Sequence, residues 1–155
     1  MGQRILLGEI LIKKGLITES QLKEALEIQK STREFLGSIL LRKNFIKEED
    51  LLKALSEQLG IPFLELKEIK IDENLVERFS KSLILEKRCF PLKLEGDFIT
   101  LGITNPLDAW TVSEAEKQVP GYKIKAVLLS SKDMEKLLEF YRNYLKSKIR
   151  RRLGF

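Results

Sequence analysis

The chain has 155 residues, 43% hydrophobic and 33% charged, a balance that supports a packed core under a solvated surface and excludes a disordered chain. Of its 28 Lys and Arg residues, set against 23 Asp and Glu, five (Lys146, Lys148, Arg150, Arg151 and Arg152) crowd one short stretch. The remainder is neutral, which argues against a general nucleic-acid binder, whose basic charge spreads over a folded face. With no His and the single Cys89, an internal disulfide, a thiolate–imidazole pair and a Cys/His metal site are excluded.

The start, Met1-Gly2-Gln3-Arg4-Ile5, lacks the apolar region of a signal peptide, and no apolar run approaches the ~20 residues that span a bilayer. A lone thiol fits a reducing compartment. The expected location is the cytoplasm.

The stretch that ends at Gln58 carries an internal repeat, visible when the sequence is laid over itself with Leu7-Gly8 on Leu36-Gly37. Ile10 then falls on Ile39, Lys14 on Lys43, Ile17 on Ile46 and Glu19 on Glu48. Leu22 falls on Leu51, Ala25-Leu26 on Ala54-Leu55 and Gln29 on Gln58. Helical periodicity alone would match apolar with apolar; it would not also match Gly and Gln.

Each repeat reads as a short helix, a tight turn and a longer helix. The first helix is predicted over Arg4 to Lys14, with Gly15 as its left-handed terminator. Thr18 then caps a second helix, and Gln21 completes a capping box. In the second repeat Asn44 replaces Gly15; Asn is the next best residue for a left-handed cap. Glu48-Glu49-Asp50 places negative charge at a helix start, where the dipole favours it. Gly60 ends the last helix and Ile61-Pro62 prevents its continuation. Gly8 and Gly37 sit inside helices, where Gly costs about 1 kcal/mol against Ala. Their recurrence points to close approach of another helix or a ligand.

Past Gly60 the pattern changes. Phe63-Leu64-Glu65-Leu66 reads as a short strand. Asp72 caps a helix over Glu73 to Phe79, and a second short helix covers Lys81 to Lys87. Phe90 to Leu94 and Phe98 to Ile103 read as strands joined by the hairpin turn Glu95-Gly96-Asp97. Asn105-Pro106 breaks the chain, a helix runs from Leu107 to Gln118, and Pro120-Gly121 ends it. Tyr122 to Leu129 reads as a strand. Ser130 caps the last helix, with Asp133 at the capping-box position and Met134, Leu137, Leu138, Tyr141, Leu145 and Ile149 at helical spacing. Trp110, in the first turn of its helix, suits core or inter-domain packing or a partner contact.

The expected fold is therefore α+β: an N-terminal helical bundle of two repeated helical hairpins, followed by a small sheet of about three strands packed with helices. The expected divisions are 1–60 for the tandem-repeat subdomain, 61–145 for the α/β subdomain and 146–155 for a basic linker or tail. That tail has three readings: a linker helix into a following domain, a contact with anionic lipid, or a nucleic-acid contact.

The tandem pattern resembles the MshEN family, the N-terminal domain of type II secretion and type IV pilus assembly ATPases. A family unit reads Arg-Leu-Gly, apolar residues, a Gly, two spaced Leu and a final Gln. Here the units run Leu6 to Gln29 and Phe35 to Gln58, with 30–34 as the spacer. Leu7, Gly8, Leu11, Gly15, Leu22, Leu26 and Gln29 fit the first unit; Leu36, Gly37, Leu40, Leu51, Leu55 and Gln58 fit the second, with Asn44 at the Gly position. Leu59-Gly60-Ile61-Pro62-Phe63, Cys89-Phe90-Pro91-Leu92 and Asn105-Pro106-Leu107-Asp108 extend the likeness over residues 4 to 145.

The resemblance implies a non-catalytic docking and regulatory domain that binds the cytoplasmic part of an inner-membrane platform protein. Such a domain is peripheral at the inner membrane, with an ATPase domain downstream if the chain is a fragment. It also implies an alternative, a cyclic di-GMP sensor in which each unit takes one guanine half. The unit-leading Arg is Leu6 in one unit and Phe35 in the other, which removes a bidentate, stacking guanidinium from both. Phe35 retains a stacking face, and Arg4 and Arg33 lie two positions upstream in each unit. No Gly-x-x-x-x-Gly-Lys-Ser/Thr occurs, so the chain lacks the phosphate loop of such ATPases and no enzymatic role is expected.

Overall fold

The computed structural model describes residues 6–67, 70 and 72–154. It divides into two compact units, Met1–Ile61 and Pro62–Phe155, each described by itself.

The first unit is all helical: α1 (Leu7–Lys13), α2 (Glu19–Thr32), α3 (Leu36–Arg42) and α4 (Glu48–Leu59). Arg4 lies outside the described residues; among those that are described, α1 starts at Leu7 behind the extended N-cap Leu6. The turn chemistry follows the sequence closely. Gly15 has φ +72° and Asn44 φ +58°. After α1, Leu16 N–H donates to Leu11 C=O (2.9 Å) and Gly15 N–H to Ile12 C=O (2.9 Å). After α3, Phe45 N–H donates to Leu40 C=O (2.9 Å) and Asn44 N–H to Leu41 C=O (3.0 Å). Both ends are thus complete Schellman motifs, which satisfy the last carbonyls of each short helix. Thr18 and Gln21 form the reciprocal capping box at the start of α2, whereas Lys47 at the start of α4 provides no side-chain cap.

In this unit α1 packs with α4 and α2 with α3, a pairing that is unchanged when the two repeats are exchanged. Lys14–Glu57 (2.8 Å) and Lys43–Glu24 (3.2 Å) bridge the same two helix pairs. The core is built from Ile10, Leu11, Ile17 and Ala25 of one repeat and from Ile39, Leu40, Ile46, Leu51 and Ala54 of the other.

The second unit holds α5 (Glu73–Val76), α6 (Lys81–Lys87), β1 (Cys89–Glu95), β2 (Phe98–Ile103), α7 (Ala109–Gln118), β3 (Lys123–Leu128) and α8 (Ser131–Leu153). The three strands lie in the order β1-β2-β3. β1 and β2 form an antiparallel hairpin with an irregularity between Pro91 and Lys93. β3 runs parallel to β2, Phe98 opposite Lys123 through Ile103 opposite Leu128. The crossover between them contains α7, as a parallel connection requires. Phe90, Ile99, Leu101, Leu128, Met134 and Leu138 are fully buried and join the sheet to the helices.

Several boundaries differ from the sequence reading, each for an identifiable reason. Phe63–Leu66 is not a strand. Phe63 makes one parallel bridge to Leu128, and pairing stops because the Leu66 N–H donates to the Asp133 carboxylate (3.0 Å). That bond also takes the carboxylate expected to close a capping box at Ser130; Ser130 Oγ still accepts from Asp133 N–H (3.1 Å). The helix expected to reach Phe79 stops at Val76, because Ser80 starts α6 by accepting from Leu83 N–H (3.1 Å). α7 starts at Ala109 rather than Leu107, because Asp108 caps it through Thr111 N–H (3.1 Å) and Asn105 holds Leu107 in a separate turn (3.0 Å). β3 runs from Lys123 to Leu128, inside the expected bounds at both ends. α8 continues unbroken through the basic stretch. Among the described residues, no helix is long and apolar enough to cross a membrane.

Candidate functional site

The repeated unit brings the motif positions into three environments. Leu11 and Leu40 are fully buried and serve as scaffold. Gly8 and Gly37 face the leucines of their own hairpins: a Cβ on Gly8 would meet Leu22 Cδ1 at 2.8 Å, and one on Gly37 would meet Leu51 Cδ2 at 3.2 Å. The two pairs are equivalent across the repeat, so helix–helix approach accounts for both glycines. Leu7, Leu36, Leu22 and Leu55 are half-buried and Leu51 is buried.

Gln29 acts locally. Its amide donates to Glu34 C=O (3.1 Å), which pins the spacer after Arg33 takes a left-handed turn at φ +58°. The sequence marked Gln29 by recurrence but offered no sign of this backbone partner.

The exposed positions are the ones a ligand or partner can reach. Leu6 (58% exposed) and Phe35 (61%) stand at the equivalent N-caps of α1 and α3, without a side-chain cap in either case. Leu26 is also exposed, as are Arg33, Gly15 and Asn44. Beside Phe35, the Glu34 carboxylate is engaged by Arg42 (2.9 Å). Residues 1–61 carry ten basic and nine acidic side chains, so this unit has only a weak net field to attract an anion.

Trp110 is not a core residue of its unit. It is 62% exposed, and Lys117 Nζ lies 5.8 Å from its ring centroid. Asp108 occupies the cap and the neighbouring Thr111 is the buried member of that first turn, which turns the indole outward. Cys89 is fully buried, its Sγ 3.5 Å from Leu83 C=O. Burial pushes its thiol up to about 12, with the Asp108 charge adding to the effect, so it is inert.

A cluster that the sequence reading missed lies between α8 and the chain just after α5. Tyr144 Oη donates to Glu77 (2.7 Å) and Lys148 donates to the same carboxylate. Lys148 first, then Tyr144, holds Glu77 below the usual carboxylate range, while partial burial and then Glu77 push Tyr144 up to about 12. The cluster borders an open cavity of about 290 Å³ with Phe79, Tyr141 and Leu145 on its apolar side. The only hint in the sequence was Tyr141, Tyr144 and Lys148 at helical spacing. Among the described residues, no group of acidic or Cys side chains could hold a metal ion.

The MshEN domain model matches residues 59–147. That is more than half of the chain, and the chain belongs to this family, the domain type of secretion and pilus ATPases. The type IV pilus assembly ATPase PilB of Myxococcus xanthus (strain DK1622) is 27% identical over 135 residues, covering 87% of this chain and 24% of PilB; the chain thus spans about a quarter of that relative. The structure of MshE with cdg is similar with a TM-score of 0.76 and 27% identity, covering 91% of this chain and 99% of the other. The N-terminal domain of XpsE reaches a TM-score of 0.70 at 19% identity, covering 90% and 97%, a likeness of fold alone. The family model matches the half that the tandem motif does not occupy. The coverage by MshE is more of the chain than the second unit holds, so it extends into the hairpins.

Proposed function

We propose that this MshEN-family chain is a non-catalytic docking domain of a secretion or pilus ATPase, binding the cytoplasmic part of an inner-membrane platform protein. The observation that carries this reading is the combination of a nearly neutral repeat unit with outward-facing apolar side chains, Leu6, Leu26 and Phe35. Such a surface gains by shape-matched burial rather than by charge. Trp110, exposed on a capped helix, has the character of a binding hot spot. The likeness to PilB supports the ATPase context. The test is affinity capture by purified cytoplasmic fragments of candidate platform proteins, with Leu6→Ala/Phe35→Ala and Trp110→Ala as comparators. Saturable binding weakened by either variant supports the reading; no binding to any platform fragment from the same genome refutes it.

The second reading is cyclic di-GMP sensing, favoured by the likeness to MshE with cdg. The residues that would form that site are the two motif units, from Leu7, Gly8, Leu11, Gly15, Leu22, Leu26 and Gln29 to Leu36, Gly37, Leu40, Asn44, Leu51, Leu55 and Gln58. Arg4, Arg33 and Phe35 stand at their entrances in the sequence. Against it stand Leu6 and Phe35 in place of two guanidinium groups. Calorimetric titration separates the readings: heat that disappears in an Arg4→Ala/Arg33→Ala double variant supports sensing, and no heat at high micromolar ligand ends it.

A further inference from the structure

The basic excess of the second unit is confined to one half of one helix. Between Arg142 and Leu153, α8 holds six basic residues and no acidic one. The rest of that unit carries 12 basic and 14 acidic residues. Tyr141 is the last buried residue of α8, so the charged half of the helix lies beyond the core.

This half has two sides. Lys148 pairs with Glu77 and Arg151 with Glu73 (3.8 Å), so these two cations are directed at the body of the unit. Lys146, Ile149, Arg150 and Leu153 occupy positions i, i+3, i+4 and i+7 and therefore share one face, with Ile149 at its border, where it also lines the cavity beside Glu77. All four are exposed, Ile149 at 53% and Leu153 at 66%, and among the described residues neither Lys146 nor Arg150 makes an ion pair. Arg142, one turn earlier on the same face, is held by Glu135 (3.3 Å).

We infer that this face of α8 is a seat for an anionic lipid bilayer. Two large aliphatic side chains flanked by two unpaired cations match the interfacial helix, whose apolar residues enter the acyl boundary while Lys and Arg extend to the phosphates. The absence of acidic residues over three turns removes the repulsion that would oppose a negative surface. Nucleic acid would use the same charge but would leave Ile149 and Leu153 in water.

The test is sedimentation of the full chain with vesicles of phosphatidylcholine alone and of phosphatidylcholine and phosphatidylglycerol in equal parts. Binding is expected only to the anionic vesicles, weakening with salt. Lys146→Gln/Arg150→Gln is expected to weaken it roughly 25-fold, about fivefold for each charge. Ile149→Ser/Leu153→Ser is expected to weaken it roughly tenfold. Because all four side chains are exposed, thermal melts of both variants should match the parent, which separates lost binding from lost folding. Three outcomes overturn the inference: equal binding to both vesicle types, anionic binding untouched by the aliphatic pair, or tighter binding of duplex nucleic acid than of anionic vesicles at the same salt. None of them bears on platform docking, which is measured without lipid.

Discussion

Replacing Gly8 and Gly37 separately by Ala tests whether helix approach explains both glycines. Each is the second residue of a short helix, so the gain in helix propensity is at most about 1 kcal/mol and smaller in a first turn. Against it stands the new Cβ. At Gly8 it would lie 2.8 and 3.0 Å from the two Leu22 methyls; at Gly37 it would lie 3.2 and 3.4 Å from those of Leu51. The first contact forces the Leu22 methyls to shift; because they are the far end of a half-buried side chain, the cost falls at the low end of the ~1–3 kcal/mol of overpacking. The second needs a displacement of only a few tenths of an ångström. Gly8→Ala should therefore be destabilised by about 1 kcal/mol net, and Gly37→Ala should fall within about 0.5 kcal/mol of the parent. Urea denaturation followed by helical circular dichroism measures both. A cycle with Leu22→Ala sharpens the test, since removing the methyls should abolish the penalty at Gly8 and give a coupling of about 1 kcal/mol. If Gly8→Ala proves as stable as Gly37→Ala, or if the cycle shows no coupling, the close-approach account fails.

The two repeats differ in their second helix starts, and that difference is measurable. Thr18→Ala should lose about 1 kcal/mol with the capping box, while Lys47→Thr should gain a similar amount by supplying the cap that α4 lacks; chemical denaturation reads both. Cys89, with its thiol pushed up to about 12, should resist a disulfide reagent at mildly alkaline pH in the folded protein and react at once in denaturant; rapid native labelling would contradict its burial. Glu77 is held below its usual value of 4.5, so its contribution to stability is present above that value and lost as pH falls through the lower folded value. Acid titration of Glu77→Gln should accordingly show a shallower loss of stability than the parent, and an unchanged slope would mean that the Lys148 and Tyr144 contacts do not persist in solution.

What could be read from the sequence was set by local chemistry. Gly15, Asn44, Thr18, Asp72 and Ser130 act on backbone groups within about one helical turn, so their turns and caps followed from residue type and spacing. The repeat was legible because one displacement aligns glycines and glutamines as well as leucines. Two helix bounds missed by a few residues because Ser80, Asp108 and Asn105 make local caps and turns that the apolar pattern did not mark, but the strand expected over residues 63–66 failed because a distant partner intervened. Asp133 takes the Leu66 amide from far along the chain, which ends a strand that looked sound locally and removes half of an expected capping box. Trp110 was ambiguous because a lone indole at a helix start carries no information about which side of the helix the fold will cover. The Glu77–Tyr144–Lys148 cluster joins segments that are just as remote in sequence, and the helical spacing of Tyr144 and Lys148 gave no sign of Glu77 as their partner.

The same contrast separates scaffold from surface within the motif units. Recurrence selected Leu11, Leu40, Gly8 and Gly37, but these positions repeat because two equivalent hairpins need the same interior. Leu6 and Phe35, two of the positions where the repeats depart from the family's pattern, are exposed. A packed interior constrains volume to within a methylene, so it preserves residue identity whatever the surface binds. An exposed N-cap has no such constraint, and its chemistry is free to follow the partner. Two exposed apolar side chains at the positions of two guanidinium groups are what the proposed docking reading requires. The prediction that separates this from nucleotide binding is restoration: Leu6→Arg/Phe35→Arg should leave stability unchanged, weaken platform capture and create or strengthen cyclic di-GMP binding. If the double variant gains no affinity for the nucleotide and captures platform fragments as well as the parent, the exposed N-caps contribute to neither activity.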